Sequence, residues 1–243
     1  MTEEDRQRAI RLRLARSNQR APGSLPTGFA SLDSALGGGL PQSSIVEIFG
    51  SSSCGKTTLA LQIVARVQRN GATAAWIDAE HAFDAPYAAG LGVRVAEMPL
   101  AQPGSAEQAL EIAGQLLASA AVDLLVVDSA AALVPRLELH SAIGDSGEGL
   151  HSRVLASGLR KLSRIVASSG AVAVFLNQTR SRAGEQEASA GGPPLKLYGA
   201  VRLALASQTG DSVEFRVLKN KLAGAFREGR IRRARGGEFV ESP

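Results

Sequence analysis

From Ser44 onward, short apolar runs alternate with longer amphipathic stretches. Four runs, at 45–49, 74–77, 122–127 and 171–176, are bounded by polar residues or glycine and are too short for helices. Only Glu47 and Asp123 interrupt them, so both faces of these strands are expected to be largely covered, as in a parallel sheet. Between them, 57–69, 105–119 and 150–168 read as helices, the second opened by a capping box of Ser105 and Gln108. Strand and helix in alternation, joined by right-handed crossovers, predict an α/β fold: a mostly parallel twisted sheet with helices on both faces. Further on, 197–205, 213–218 and 230–239 predict antiparallel strands extending the sheet at its C-terminal edge. The stretch 180–194 has no apolar periodicity and predicts a mobile loop.

The residues at the end of each run change the picture from fold to chemistry. Gly50 and a glycine-rich loop come after the first, Asp78 and Glu80 after the second, Asp128 after the third, Asn177 and Gln178 after the fourth. In open parallel sheets the C-terminal edge of the strands is where ligands bind, so four strands are expected to deliver polar groups to one place. The loop reads Gly50, Ser51, Ser52, Ser53, Cys54, Gly55, Lys56, Thr57, with Thr58 after it. Backbone N–H groups at a helix N-terminus satisfy a phosphate chain without bulky side chains, and two glycines permit the turn. Lys56 is expected on the β and γ phosphates of ATP, and the Thr57 hydroxyl on Mg²⁺, with Asp128 holding the metal through water. Glu80 is the best placed carboxylate to orient or deprotonate a water, with Asp78 and Asp128 as rivals. Gln178 is placed to sense the γ phosphate. Cys54, inside the loop, reads as a small residue that fits or as a thiol whose modification blocks the site.

Composition narrows the classes. A single cysteine excludes an internal disulfide and a cysteine-built zinc site. No apolar run is long enough for a bilayer and the N-terminus lacks a signal-peptide core, so a cytoplasmic protein is expected. The net charge is +4, concentrated in arginine clusters at 6–20 and 227–235, which gives both ends a positive local field. Residues 1–26 are expected to form a short basic helix and linker, and 27–243 one core domain. On the helix at 150–168, Arg153, Arg160 and Arg164 fall within ~40° of one another, opposite Leu155, Leu159, Leu162 and Val166. Such a cationic stripe over a buried face suits phosphates.

The run Trp76, Ile77, Asp78, Ala79, Glu80, His81, Ala82, Phe83, Asp84 resembles that of bacterial RecA recombinases. The resemblance extends from Thr27, Gly28, Leu32 and Asp33 through the loop, 107–112, 126–129 and 143–146 to Asn177, Gln178, Arg180 and Lys219, Asn220, Lys221. It implies a RecA-like core with a DNA-dependent ATPase activity, Mg-ATP and single-stranded DNA as ligands, and a place in recombination, repair and the SOS response to DNA damage. By it, Glu80 is the catalytic carboxylate, Gln178 couples the γ phosphate to the DNA loop, and Asp84 and Tyr87 flank the adenine. Lys219 and Lys221 are offered to a neighbouring subunit's ATP. Lys56, Lys219 and Lys221 are three of only five lysines in the chain. Arg153, Arg160, Arg180, Arg182, Gly191 and Gly192 resemble the family's two DNA loops.

Departures from the family are also legible. The C-terminal lobe and the Phe-containing docking strand of the N-terminal arm have no counterpart, so head-to-tail filaments or rings are expected in weakened form. Glu148 stands where the family has an apolar residue beside DNA, and Arg235 where it has a tyrosine near the nucleotide. These departures open a second reading, an accessory protein resembling ImuA that partners a translesion polymerase in error-prone synthesis.

Overall fold

In a computed structural model, the structure of the chain describes residues 23–142, 149–180, 188–189, 192–207 and 210–242. The expected basic helix at 1–20 lies outside them. The strands are β1 (Ser24–Leu25), β2 (Leu40–Pro41), β3 (Ser44–Gly50), β4 (Ala74–Asp78), β5 (Leu100–Ala101), β6 (Leu124–Asp128), β7 (Val172–Arg180), β8 (Ala188–Ser189), β9 (Val201–Ser207), β10 (Ser212–Asn220), β11 (Glu228–Arg233) and β12 (Phe239–Glu241). The helices are α1 (Ala30–Leu36), α2 (Lys56–Arg69), α3 (Ala85–Gly90), α4 (Ala106–Ala118), α5 (Arg136–Leu139), α6 (Leu150–Ser169) and α7 (Pro193–Tyr198). Among the described residues no helix is long and apolar enough to cross a membrane.

The main sheet runs β12-β11-β10-β9-β3-β7-β6-β4-β5. From β9 to β5 every pairing is parallel, and from β9 to β12 every pairing is antiparallel. Because successive strand residues point to opposite faces, β3 sends Val46 and Ile48 into one core and Ile45 into the other. The first core is closed by α2 through Leu59, Ile63 and Val67, together with Trp76 and Leu203. The second is closed by α4 and α6, where Leu155, Leu159, Leu162 and Val166 meet Leu125, Val127 and Phe175. Helices on both faces, and an apolar stripe on α6, are as the periodicity predicts. At Gly158 a Cβ would stand 2.9 Å from Leu110 Cδ2, so the glycine lets α6 approach α4 closely.

Three expectations need correction. Residues 197–205 are not all one strand: Pro193–Tyr198 is helical, and β9, antiparallel to β10 as expected, pairs parallel to β3 on its other side from Val46↔Val201 to Gly50↔Leu205. Alternating Val201, Leu203 and Leu205 reports a strand with one buried face but carries no information about its direction. The stretch 180–194 is not all loop. β7 continues to Arg180, Ser189 pairs with Thr179, and Pro193 opens α7, where a missing N–H costs nothing. The capping box is half made: Ser105 Oγ accepts from the Gln108 N–H at 3.3 Å, but Gln108 Oε1 accepts from the Gly104 N–H at 2.8 Å rather than from Ser105.

Leu159 is fully buried between α6 and the sheet. Leu159→Ala removes its contacts and leaves a cavity, so urea denaturation is expected to give a stability loss of about 2–5 kcal/mol. A loss under about 1 kcal/mol would mean that the α6 interface is not packed as described.

Candidate functional site

Parallel pairing brings four strand ends to one edge. Gly50 is in register with Gln178 of β7, and Asp78 of β4 with Asp128 of β6. The chain leaves β3 at Gly50, turns through Ser51, Ser52, Ser53 and Cys54, and enters α2 at Lys56. Ser53 and Gly55 take left-handed backbone angles, φ 59° and 98°. No side chain caps α2, which leaves its first N–H groups to an anion from outside the helix. Lys56 is buried, and its ammonium donates to the Gly50 and Ser51 carbonyls at 3.2 and 2.7 Å. It lies across the mouth of the loop, where phosphate oxygens can replace neutral carbonyls as acceptors.

Thr57 faces β6, and its hydroxyl donates to Asp128 Oδ2 at 3.0 Å. Burial pushes the Asp128 carboxyl up from 3.8 to about 6; the Thr57 hydrogen bond opposes the rise, and the Glu80 and Asp78 carboxylates add to it. A buried acid crowded by two others is a place that a cation would relieve. No cluster of three or more His, Cys, Asp or Glu able to hold a metal exists among the described residues. Thr57 and Asp128 are the residues that could hold a cation here, with phosphates and water completing its shell as Mg²⁺ prefers.

The other carboxylates divide by their partners. Asp78 accepts from the N–H groups of Ala82 and Phe83 and from Gln102 Nε2, at 3.2, 3.0 and 2.9 Å. Its oxygens are engaged in holding the 79–84 turn, which leaves them less free than those of Glu80. Glu80 Oε1 instead accepts from the Ser129 hydroxyl, and the peptide between Asp128 and Ser129 is cis. Sequence reasoning gave Ser129 no role, although it closes the matched run 126–129 directly after Asp128.

The residues expected to flank a base come together next to the loop. Asp84 caps α3 by accepting from the Tyr87 N–H at 2.8 Å, and the Tyr87 hydroxyl lies 2.8 Å from Thr58 Oγ1. The structure thus brings Asp84, Tyr87 and Thr58 together beside the loop. A clamp from the far end of the chain was also missed. Phe239 exchanges two backbone hydrogen bonds with the Gln62 side chain, and its ring lies so close under Gly55 that a Cβ there would collide with it. Arg233 lies over that ring at 5.7 Å and donates to the Ser53 carbonyl at 3.4 Å. A sequence pattern that marks 230–239 only as a strand could not find these contacts, which join positions about 180 apart in the chain. Cys54 is fully buried and pressed against Gly50, which favours the reading of a small residue that fits.

Two expected groups lie elsewhere. Lys219 and Lys221 sit at the opposite end of the sheet, because β10 runs antiparallel: Asn220, between them, pairs with Val201 and through it with Val46. That is roughly 13 Å along the strands from Gly50 and two strand spacings across. Lys219 donates to the Lys196 and Leu197 carbonyls at 2.7 and 3.2 Å. Burial, and then the neighbouring Lys221 and Arg202 charges, hold its pKa below the usual lysine range. Arg153 and Arg160 are exposed along α6, and Gly192 lies against Ser152 in the first turn of that helix. The side chain of Arg180, and Arg182 and Gly191, lie outside the described residues.

The Asp128 shift fixes a pH dependence. Below about pH 4 the carboxyl is neutral in the folded and unfolded chain; between about 4 and 6 the unfolded chain ionises first; above about 6 the folded chain carries the buried charge at full cost. Asp128→Asn removes that cost, so without nucleotide or magnesium its melting temperature is expected to exceed wild type near pH 8 and to converge on it near pH 4. Calorimetry across that range checks the sign, and an equal difference at both pH values would count against it.

The family model for the RecA N-terminal domain matches residues 4–236. "Protein RecA" of Gloeobacter violaceus is 42% identical over 230 residues, 89% of this chain and 62% of that protein. "Protein RecA" of Thermus thermophilus is 47% identical over 222 residues, 85% and 65% of the two chains. That of Streptococcus agalactiae is 47% identical over 222 residues, 84% and 59%. The chain spans about three fifths of the length of these relatives. Since the match runs through the loop, the sheet edge and the carboxylates alike, the chain belongs to the RecA family.

Proposed function

We propose that this chain is a RecA-type DNA-dependent ATPase that binds Mg-ATP and single-stranded DNA and acts in homologous recombination, DNA repair and the SOS response to DNA damage. The observation that carries the reading is the contact of Thr57 with Asp128: the hydroxyl that comes after the loop lysine touches a buried carboxylate at the end of a central strand. Magnesium bound with ATP would be held by the Thr57 hydroxyl and, through water, by Asp128, and would supply positive charge beside the terminal phosphates. Lys56 releases its two carbonyls to hold phosphate oxygens. Glu80, its carboxylate steadied by Ser129, orients a water and takes its proton. Gln178, beside Gly50, senses the γ phosphate, while Asp84 and Tyr87 border the base.

Lys219 and Lys221 lie too far from their own loop to serve it, which supports their use on the nucleotide of a neighbouring copy in a head-to-tail filament or ring. Arg153 and Arg160, with Gly192 against the start of α6, supply the described part of a DNA surface that Arg180, Arg182 and Gly191 extend. The setting of such a protein is the cytoplasm.

ATP hydrolysis measured with and without single-stranded DNA tests the reading. Lys56→Ala is expected to abolish nucleotide binding; Glu80→Gln is expected to keep binding but lower kcat by about 10²-fold or more. Mixing inactive Glu80→Gln with inactive Lys219→Ala is expected to restore part of the rate, and no recovery in co-assembled protein would sink the shared site. Tight ATP binding that DNA never stimulates would replace this reading with that of an accessory protein for a translesion polymerase.

A further inference from the structure

Two of the polar residues that interrupt or end the central apolar runs, Glu47 and Asn177, take no part in the chemistry above. Both are fully buried on one face of the sheet. Glu47 Oε1 accepts from Asn177 Nδ2 at 2.9 Å, and Glu47 Oε2 accepts from Arg202 Nε. The Arg202 guanidinium is itself seated over the Phe49 ring, 4.5 Å from its centroid. Asn177 Oδ1 accepts from the backbone N–H of Gln178 at 2.9 Å. The groups sit on three adjacent strands: Glu47 pairs in register with Arg202 of β9 on one side and Phe175 of β7 on the other.

A chain of this kind has one orientation. A primary amide can flip, and flipped it would turn two N–H donors towards the Gln178 N–H. An ionised carboxylate only accepts, so Glu47 admits the Nδ2 end alone and forces Oδ1 towards Gln178. Arg202, held over Phe49, donates to the carboxylate and fixes it in turn. A buried charge in a central strand is costly, and an apolar residue would close the same space with less penalty. Its position here therefore calls for a role beyond packing.

We propose that Glu47, through Asn177, is a positioning residue for Gln178, holding the backbone of the γ-phosphate sensor in register with Gly50 and so setting how well the site tells ATP from ADP. The chain starts at Arg202, whose partner across β10 is Lys219, so it spans the sheet between the lysine edge and the phosphate edge. The functional half of this inference rests on the nucleotide reading above; the structural half does not.

Two measurements separate them. In the protein alone, Glu47→Gln and Asn177→Ala are each expected to speed hydrogen exchange of the Gln178 amide by about tenfold or more, with β7 amides up to Phe175 unchanged. With nucleotide, each is expected to weaken a non-hydrolysable ATP analogue by about tenfold while ADP affinity stays within about twofold. Gln178→Ala is expected to show the same loss, and adding Glu47→Gln to it to cause no more, as members of one unit do. Unchanged exchange at Gln178, equal losses for ADP and the ATP analogue, or losses that multiply in the double variant would each overturn the proposal. If Glu47→Gln does not fold, Asn177→Ala, which keeps the Glu47–Arg202 pair, carries both measurements. A wild-type protein that binds no nucleotide would overturn the nucleotide reading, and the exchange data would still decide whether Glu47 positions Gln178.

Discussion

The site depends on how tightly β3 is gripped between two parallel neighbours at Gly50. On one side Gly50 pairs with Gln178; on the other it faces Leu205, whose carbonyl oxygen occupies the space a Cβ would need. Cys54 Sγ closes the same space from within the loop, 2.8 Å from where that Cβ would stand. Only a residue without a side chain lets the chain leave the sheet there and turn at once into α2. That exit sets the direction of the α2 N-terminus, the reach of Lys56 across the loop mouth and the contact of Thr57 with Asp128.

Charge inside the sheet is handled in two ways. Glu47, in the middle of β3, is matched by Arg202 and by an amide, and it is closed off from solvent. Asp128, at the end of β6, is buried with only a hydroxyl and a distant lysine to offset its ionisation, and its carboxyl is raised to about 6. The first arrangement is complete within the chain and acts through geometry. The second is a carboxyl whose ionisation is opposed by burial and only partly favoured by its contacts. The same strands thus carry both, with the satisfied charge in the interior and the unsatisfied one at the ligand edge.

The far end of the chain contributes more than an extension of the sheet. Phe239 and Arg233 reach back beneath the phosphate loop, and Gln62 of α2 fixes the last strand by two hydrogen bonds. The antiparallel strands therefore brace the loop from below, while their opposite end presents Lys219 and Lys221 away from it. One added sheet segment supports a site on one edge and displays cations on the other.

By itself the sequence determined what depends on local pattern. Apolar runs of strand length, helical spacing on α6 and a loop motif at a strand-to-helix junction sufficed for the α/β layers, the turn from β3 into α2 and the nomination of Glu80, Asp128 and Gln178 as candidates, because each is encoded within a few neighbouring residues. What the tertiary structure decided is how distant segments pair. Alternation at Val201, Leu203 and Leu205 is the same for a parallel and an antiparallel strand, so the direction of β9 was settled only by its seat beside β3. The sequence ranks Glu80 above Asp78 by position alone, and only the tertiary structure shows their different surroundings, the Ala82, Phe83 and Gln102 donors around one and Ser129 at the other. The same holds for Glu47 and Asn177, 130 residues apart, whose hydrogen bond exists only because two parallel strands come into register.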